Sequence, residues 1–349
     1  MKAIQKQGLG QAMYIEAAIP AYGATDILLK PLFSGICHTD LHVLYHNLGQ
    51  EEGNEFPVIM GHEFSAVVEA VGDQVDYYIG TSHKINVGDR VTVEPVLPCG
   101  KCSYCLQGKI NICPNMSHLG MFEDGCYADY VRVPFTRVHR LPDHISDRAG
   151  SLVEPLACAI NFVDKSQIKP GNTVVIIGGG AIGQLTLQVV LASGAGTVIL
   201  SEPVAKKRAL ALKSGAHAVI DPLTENVKER VMELTSGIGA DIVIECVGIE
   251  ATVGQMLDVV RKGGRCVMAG IPSDRMNVDL SRLVLGEVEL VGVHATAWQF
   301  PRAMKLIENG MVDVEAALER VIPFSKAIEG LKEAFESNEF GKMVIEHGR

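Results

Sequence analysis

The run Val174-Val-Ile-Ile-Gly-Gly-Gly-Ala-Ile-Gly183 constrains the fold more than any other segment of this chain. Four apolar, β-branched residues read as a buried strand, glycines stand at 178, 180 and 183, and a helical pattern follows. In that context the first glycine permits a tight turn and the second lets a pyrophosphate approach the backbone. The third lets helix and strand pack closely. The helix N-terminus supplies free N–H groups and positive potential for phosphates. Glu202 ends the next apolar run, 19 residues beyond Gly183. An acidic side chain there accepts bonds from an adenosine ribose diol and repels a 2′-phosphate. Gly178, Gly180, Ala181, Ile182, Gly183 and Glu202 are therefore candidate cofactor-binding residues, with NAD expected. Lys206, Lys207 and Arg208 read as a solvated helix face; the rival reading is tolerance of NADP.

Around this turn, short apolar runs recur at Val198–Leu200, Ala218–Ile220, Ile242–Ile244 and Cys266–Met268, with helical patterns between them. Such alternation indicates a parallel sheet covered on both faces, here over residues 151–294. Residues 1–150 differ. They hold short β-type runs such as Arg90–Val93 and Tyr130–Val133, punctuated by Gly and Pro, which suggests a small barrel-like β domain. Val288–Val293 reads as the last strand of the parallel sheet. The helical patterns Arg302–Asn309 and Ser325–Ser337 and the β run Met343–Ile345 come after it. They exceed what that sheet needs, so 295–349 is expected to complete the first domain.

A chain of 349 residues allows roughly two domains. Its net charge of −10 argues against a nucleic-acid partner and against docking on anionic membranes. The N-terminus has no apolar signal core, and the apolar stretch from Thr173 to Leu200 is broken by glycines, so it reads as strand, helix and strand. Nine cysteines without a secretory signal point to a reducing compartment, the cytoplasm. Cys126, Cys158, Cys246 and Cys266 read as small buried hydrophobes.

The remaining cysteines are not scattered. Cys99, Cys102, Cys105 and Cys113 occupy one short run, two residues between each of the first three and seven before the last. That spacing lets four thiolates converge on a structural zinc with Zn–S distances of about 2.3 Å. Two disulfides or four unrelated thiols are the alternatives. Three further stretches hold ligand-type residues: Cys37-His38-Thr39-Asp40-Leu41-His42, Gly61-His62-Glu63 and Val153-Glu154-Pro155-Leu156.

Taken with the cysteine lobe and the glycine turn, these stretches resemble the zinc-dependent medium-chain dehydrogenases over almost the full length. The resemblance implies an α/β protein, with a GroES-like β-rich catalytic domain and a Rossmann doubly wound parallel sheet. It implies a catalytic zinc bound by Cys37 and His62. Yeast- and liver-type alcohol dehydrogenases carry a Cys near Glu154. Sorbitol, butanediol and threonine dehydrogenases carry Glu-Pro-Leu there, as this chain does, and in that branch Glu63 can also ligate. The third ligand is thus Glu154, Glu63 or a water held by either. His38 departs from the branch, which usually has Gly; in yeast-type enzymes that His contacts the cofactor pyrophosphate. Thr39 matches the family's relay hydroxyl and His42 its solvent-end histidine, residue types suited to passing a proton near neutral pH.

The resulting expectation is an enzyme that reversibly oxidises a secondary alcohol to a ketone with NAD, with two zinc ions per chain. Catalytic roles fall to Thr39, His42, Glu63 and Glu154. A zinc-stabilised binding protein is disfavoured by the acidic charge and by the glycine turn. A metal-free reductase of the quinone reductase type lacks both the cysteine lobe and the Cys37/His62 pair. The forms Gly61–Ser65, Pro95–Cys105 and Ser201-Glu202-Pro203 look most like butanediol-type enzymes. The segment His294–Phe300 lacks the Arg that often holds a polyol hydroxyl. Sorbitol- or xylitol-type and threonine dehydrogenases are the alternatives. A homodimer or homotetramer is expected from the apolar edge run at 288–293.

Overall fold

The computed structural model describes residues 1–46, 48, 57–272, 275–337 and 341–348. The chain divides into two compact units: Met1–Glu154 with Thr296–Glu308 and Leu318–Arg349, and Pro155–Ala295 with Asn309–Ala317.

The first unit is organised by two long antiparallel strands, Asp26–Gly35 and Glu63–Val71. On one side Arg90–Val93 and Val138–Arg140 extend the sheet; on the other come Lys342–Glu346 and Leu318–Pro323, while Val131–Pro134 also pairs with Asp26–Gly35. The strand from the far C-terminus thus lies against the strand that leads to Cys37, with Val344 opposite Gly35. Ile27, Leu29, Phe64, Ala66, Val68, Val91 and Val131 form the core beneath. A strand with one wet face alternates buried and exposed residues. Glu63–Ala66 does not; all four residues are buried, so polar Glu63 and Ser65 must find partners inside the protein.

The second unit holds six described parallel strands. Their order across the sheet is Ala218–Ile220, Thr197–Ser201, Thr173–Ile177, Ala240–Glu245, Val260–Met268 and Glu289–Gly292. Numbered along the chain this is 3-2-1-4-5-6, the doubly wound dinucleotide-binding order. The inner strands are continuous apolar runs because helices cover both faces: Val174 to Ile177 and Val198 to Leu200 are all buried. The order reverses beside Thr173–Ile177, so the glycine turn at its carboxyl end sits at the topological switch point. Glu289–Gly292 is the edge strand expected at 288–293.

The unit boundaries differ from those expected. Residues 151–154, expected in the second domain, fall in the first unit, while Ala295 and Asn309–Ala317, expected in the first domain, fall in the second. Gln188, on the helix after the glycine turn, clamps Asn309–Ala317: its Nε2 donates to the Asp313 carbonyl at 3.0 Å, and its Oε1 accepts from the Asp313 N–H at 2.8 Å. Of the four cysteines expected to be buried, Cys126 and Cys266 are, while Cys158 and Cys246 are half-buried. No described helix is long and apolar enough to cross a membrane.

Candidate active site

Cys37 follows strand Asp26–Gly35, one residue before the helix His38–His46, and His62 and Glu63 stand where strand Glu63–Val71 begins. The register of the two strands sets Gly35 opposite Glu63. Ligand atoms of Cys37, His62 and Glu63 consequently lie within 4.8 Å of one another.

Asp40 fixes this arrangement. Its Oδ2 accepts from the Cys37 N–H at 2.9 Å and from the Tyr127 hydroxyl at 2.8 Å, while its Oδ1 faces His62 Nδ1 at 3.3 Å. His62 is thereby oriented with Nε2 left to bind an ion, the carboxylate–histidine arrangement common beside bound metals. Burial pushes the Asp40 carboxyl up, but His62 and the two donors outweigh this and hold it below its ordinary range. Burial pushes His62 down, yet Asp40 and Cys37 raise it well above its ordinary value. An anionic pocket that retains a proton on His62 is one in which a divalent cation can replace that proton.

Glu63 has a second cationic neighbour. Lys342, the first residue of the C-terminal strand, pairs with Glu63 Oε2 and donates to the Ile36 carbonyl at 2.9 Å. Burial lowers the Lys342 ammonium, but Glu63, Cys37 and Asp40 more than offset this and raise it. Glu154 is buried in the first turn of helix Val153–Ser166, and its carboxylate does not join the 4.8 Å set. The Thr39 N–H points to Cys37 Sγ at 3.4 Å. His38, His42 and His46 form a ladder along one helix face, with ring centroids 4.9 and 5.2 Å apart. Burial and the flanking His38 and His46 lower His42.

The cysteine lobe forms a second cluster. Sγ atoms of Cys99, Cys102, Cys105 and Cys113 all lie within 4.8 Å of one another, and none is in a disulfide. Cys102 Sγ is 3.5 Å from Cys105 Sγ and 3.8 Å from Cys113 Sγ. Four sulfurs about 2.3 Å from a tetrahedral zinc stand ~3.8 Å apart, so the lobe fits that ion. Backbone N–H groups of Lys101 and Cys102 lower Cys99 to about 6, whereas burial and neighbouring sulfurs push Cys105 up to about 12. A metal would complete the deprotonation of the set. Trp298 is tied to this lobe: its indole N–H donates to the Gly108 carbonyl at 2.9 Å, and the Arg137 guanidinium lies 5.4 Å from the ring centroid.

In the second unit Gly178 has φ +99°, and a Cβ at Gly183 would lie 1.9 Å from the Gly178 carbonyl oxygen. The turn is therefore closed to side chains at both positions. Gly180 precedes the helix Ala181–Ala192, no side chain caps its N-terminus, and Ala181 and Ile182 form its first turn. Glu202 Oε2 accepts from the Gly179 N–H at 2.7 Å, which places the carboxylate beside the turn. Arg208 is occupied: Nη1 donates to the Glu202 carbonyl at 2.7 Å and Nη2 pairs with Asp221 at 2.8 Å.

The sequence reading singled out neither Asp40, Tyr127 nor Lys342. Asp40 had a local signal, an Asp three residues after Cys37. Tyr127 and Lys342 had none, since each reaches the cluster from a distant strand or loop.

Known proteins show the same plan. The model of the alcohol dehydrogenase GroES-like domain matches residues 23–143, and that of the zinc-binding dehydrogenases matches residues 181–309. The chain is 31% identical to D-arabitol-phosphate dehydrogenase of Enterococcus avium, over 99% of this chain and 97% of the relative. It is 33% identical to L-threonine 3-dehydrogenase of Pyrococcus horikoshii, over 97% and 94%. A Sinorhizobium meliloti 1021 structure classed as a zinc-binding dehydrogenase and bound to NADP superposes with a TM-score of 0.91. It is 32% identical, and the match covers 99% of this chain and 98% of that one. The fold and these matches define an oxidoreductase of the zinc-dependent medium-chain type. This chain belongs to that alcohol and polyol dehydrogenase family, with zinc and NAD(P) as its cofactors.

The two clusters predict two zinc ions per chain with unequal roles. Elemental analysis is expected to give about two equivalents. Cys37→Ser is expected to leave about one and to abolish turnover, whereas Cys102→Ser should lose the other and lower the melting temperature. A Cys37→Ser protein that keeps both ions would remove Cys37 from the ligand set.

Proposed function

We propose that this enzyme reversibly oxidises a small secondary alcohol or vicinal diol to the ketone, with NAD as hydride acceptor. The observation that carries the reading is the convergence of Cys37, His62 and Glu63 on one buried point, oriented by Asp40. Cys37 and His62 would hold a zinc ion there, and such an ion would polarise an alcohol oxygen and lower its pKa so that hydride could leave carbon at neutral pH. Glu63 and Glu154 are the carboxylates available to complete its shell, directly or through water. Tyr127, raised well above its ordinary value by burial and by Asp40, stays a phenol and keeps donating to Asp40.

The proton released from the alcohol leaves through Thr39 and His42. A histidine lowered from its ordinary value of about 6.5 remains neutral, and able to accept a proton, at more acidic pH. Gly178, Gly180, Ala181, Ile182 and Gly183 take the cofactor pyrophosphate, with His38 as a further contact. The buried Glu202 carboxylate takes the adenosine ribose. Arg208, held by Asp221 and two carbonyls, is committed elsewhere and does not offset the repulsion of a 2′-phosphate.

Substrate size is read from the segment after the last parallel strand. His294–Phe300 contains no arginine, and the one N–H of Trp298 is spent on Gly108. A buried substrate hydroxyl without a partner costs roughly 1–3 kcal/mol, which penalises a long polyol. The named relatives favour a second reading, oxidation of a sugar-alcohol phosphate or of threonine. Against threonine, Phe64 stands where that branch usually has Tyr after Gly-His-Glu.

Kinetics with 2,3-butanediol, 2-butanol, ethanol and sorbitol, each with NAD and NADP, test substrate and cofactor together. The diol or 2-butanol is expected to exceed sorbitol in kcat/KM by about 10- to 100-fold. NAD is expected to exceed NADP by at least about tenfold, with Glu202→Ser narrowing the gap. Sorbitol tenfold better than the diol would sink the substrate reading, and equal use of both cofactors would sink the role of Glu202.

For the relay, kcat of alcohol oxidation should hold to below pH 6.5. His42→Gln should lower it about tenfold at pH 7, less at higher pH where solvent accepts the proton directly. An unchanged pH profile in the variant would exclude His42.

The edge strand Glu289–Gly292 exposes Leu290, and the preceding helix exposes Val284 and Leu285. Such an edge is expected to be covered by a second copy, giving a dimer or tetramer. Light scattering that finds a monomer at micromolar concentration would overturn this.

A further inference from the structure

Glu63 lies between a cation and a candidate metal point. It belongs to the Cys37/His62 cluster, and its Oε2 also pairs with the ammonium of Lys342. Both side chains are buried, Glu63 1% exposed and Lys342 6%. The backbone is shaped for the pair. A Cβ at Gly35, opposite Glu63 in the sheet, would lie 2.1 Å from Glu63 Oε2 and 3.0 Å from Lys342 Cε. The lysine meets the carboxylate through a gap that only glycine leaves open.

A buried lysine is expensive unless its charge is needed. With a metal bound, Cys37, Asp40 and Glu63 would be three anions around a neutral His62. A divalent ion would balance only two of them, and the Lys342 ammonium supplies a further positive charge beside Glu63. The ion pair also addresses a problem in the proposed reaction. A catalytic zinc must keep one coordination position open. Cys37, His62, Glu63 and Glu154 together would close a tetrahedral shell.

We infer that Lys342 is a positioning residue that makes Glu63 an exchangeable ligand. Its ammonium would compete with a bound metal for the carboxylate, so that Glu63 could yield its place to the substrate oxygen. This rests on the metal-site reading above and adds to it the side chain that governs ligand exchange.

The test is the rate at which the zinc-loaded enzyme gives up metal to excess dipicolinate, followed by a chromogenic zinc dye. The catalytic ion is the phase missing from Cys37→Ser. Without the competing ammonium, Glu63 stays on the metal, so Lys342→Met is expected to slow this phase about tenfold. Lys342→Arg should restore the wild-type rate. In a Glu63→Gln background, adding Lys342→Met should change nothing, because no carboxylate remains to contest. A lysine that merely supported the fold would behave oppositely, since its loss would speed metal release. Release from Lys342→Met as fast as wild type or faster overturns the inference, as does slowing that persists in the Glu63→Gln background. Should Lys342→Met fail to fold, Glu63→Gln and the Glu63→Gln/Lys342→Met double variant still decide, because removing both charges buries no unpaired ion. Any difference in release between those two overturns the inference. Absence of a Cys37-dependent phase in the wild type overturns the metal-site reading itself, and this inference with it.

Discussion

The Cys37/His62 cluster depends on one buried anion, the Asp40 carboxylate. Taking a carboxylate out of water costs several kcal/mol unless donors replace the lost hydration. Asp40 is 1% exposed, and the groups around it come from three separate parts of the chain: the Cys37 N–H, the Tyr127 hydroxyl and the His62 ring. The penalty that would make such a group a liability becomes a source of geometry. Moving any one donor away leaves charge uncompensated, so Cys37 and His62 are locked relative to each other before any metal arrives. The nucleotide turn is held by a different constraint, backbone contact too close for a Cβ at Gly183.

These two kinds of constraint differ in how they appear in a sequence. The glycine turn and the four-cysteine lobe are local. Every residue needed for the argument lies within a few positions, and the spacing carries the geometry. Hence the strand Thr173–Ile177, the helix Ala181–Ala192 and the sulfur cluster all follow from short windows. The alternation of apolar runs with helices also revealed the parallel sheet, because burial on both faces leaves continuous hydrophobic strands. The Cys37/His62 cluster was legible only through family resemblance. No periodicity says that the ends of two antiparallel strands meet there.

What stayed hidden was made by sheet register over long separations. Lys342 reaches Ile36 and Glu63 because the C-terminal strand returns beside Asp26–Gly35, and nothing near residue 342 announces it. A lysine beginning a strand reads as an exposed edge charge. The place of Asn309–Ala317 was hidden for the same reason: Gln188, far away in sequence, bonds both backbone groups of Asp313. Trp298 lies in the segment His294–Phe300, read for substrate contacts, yet its N–H serves the cysteine lobe. In each case the deciding bond joins residues more than a hundred positions apart.

The carboxylates show how much chemistry rests on such bonds. Glu63 and Glu154 are the same residue type, both buried, and both match ligand positions of the family. The fold distinguishes them. Glu63 lies within the Cys37/His62 set and faces Lys342, whereas Glu154 begins a helix and stands outside that set. A carboxylate near a helix N-terminus is stabilised as an anion by the helix dipole and need not bind a metal to keep its charge. A carboxylate that faces an ammonium on one side and a metal point on the other would have two partners to choose between. The first suits a fixed electrostatic role and the second suits ligand exchange. On that basis the proposed exchange falls to Glu63, which faces both Lys342 and the Cys37/His62 pair, and not to Glu154.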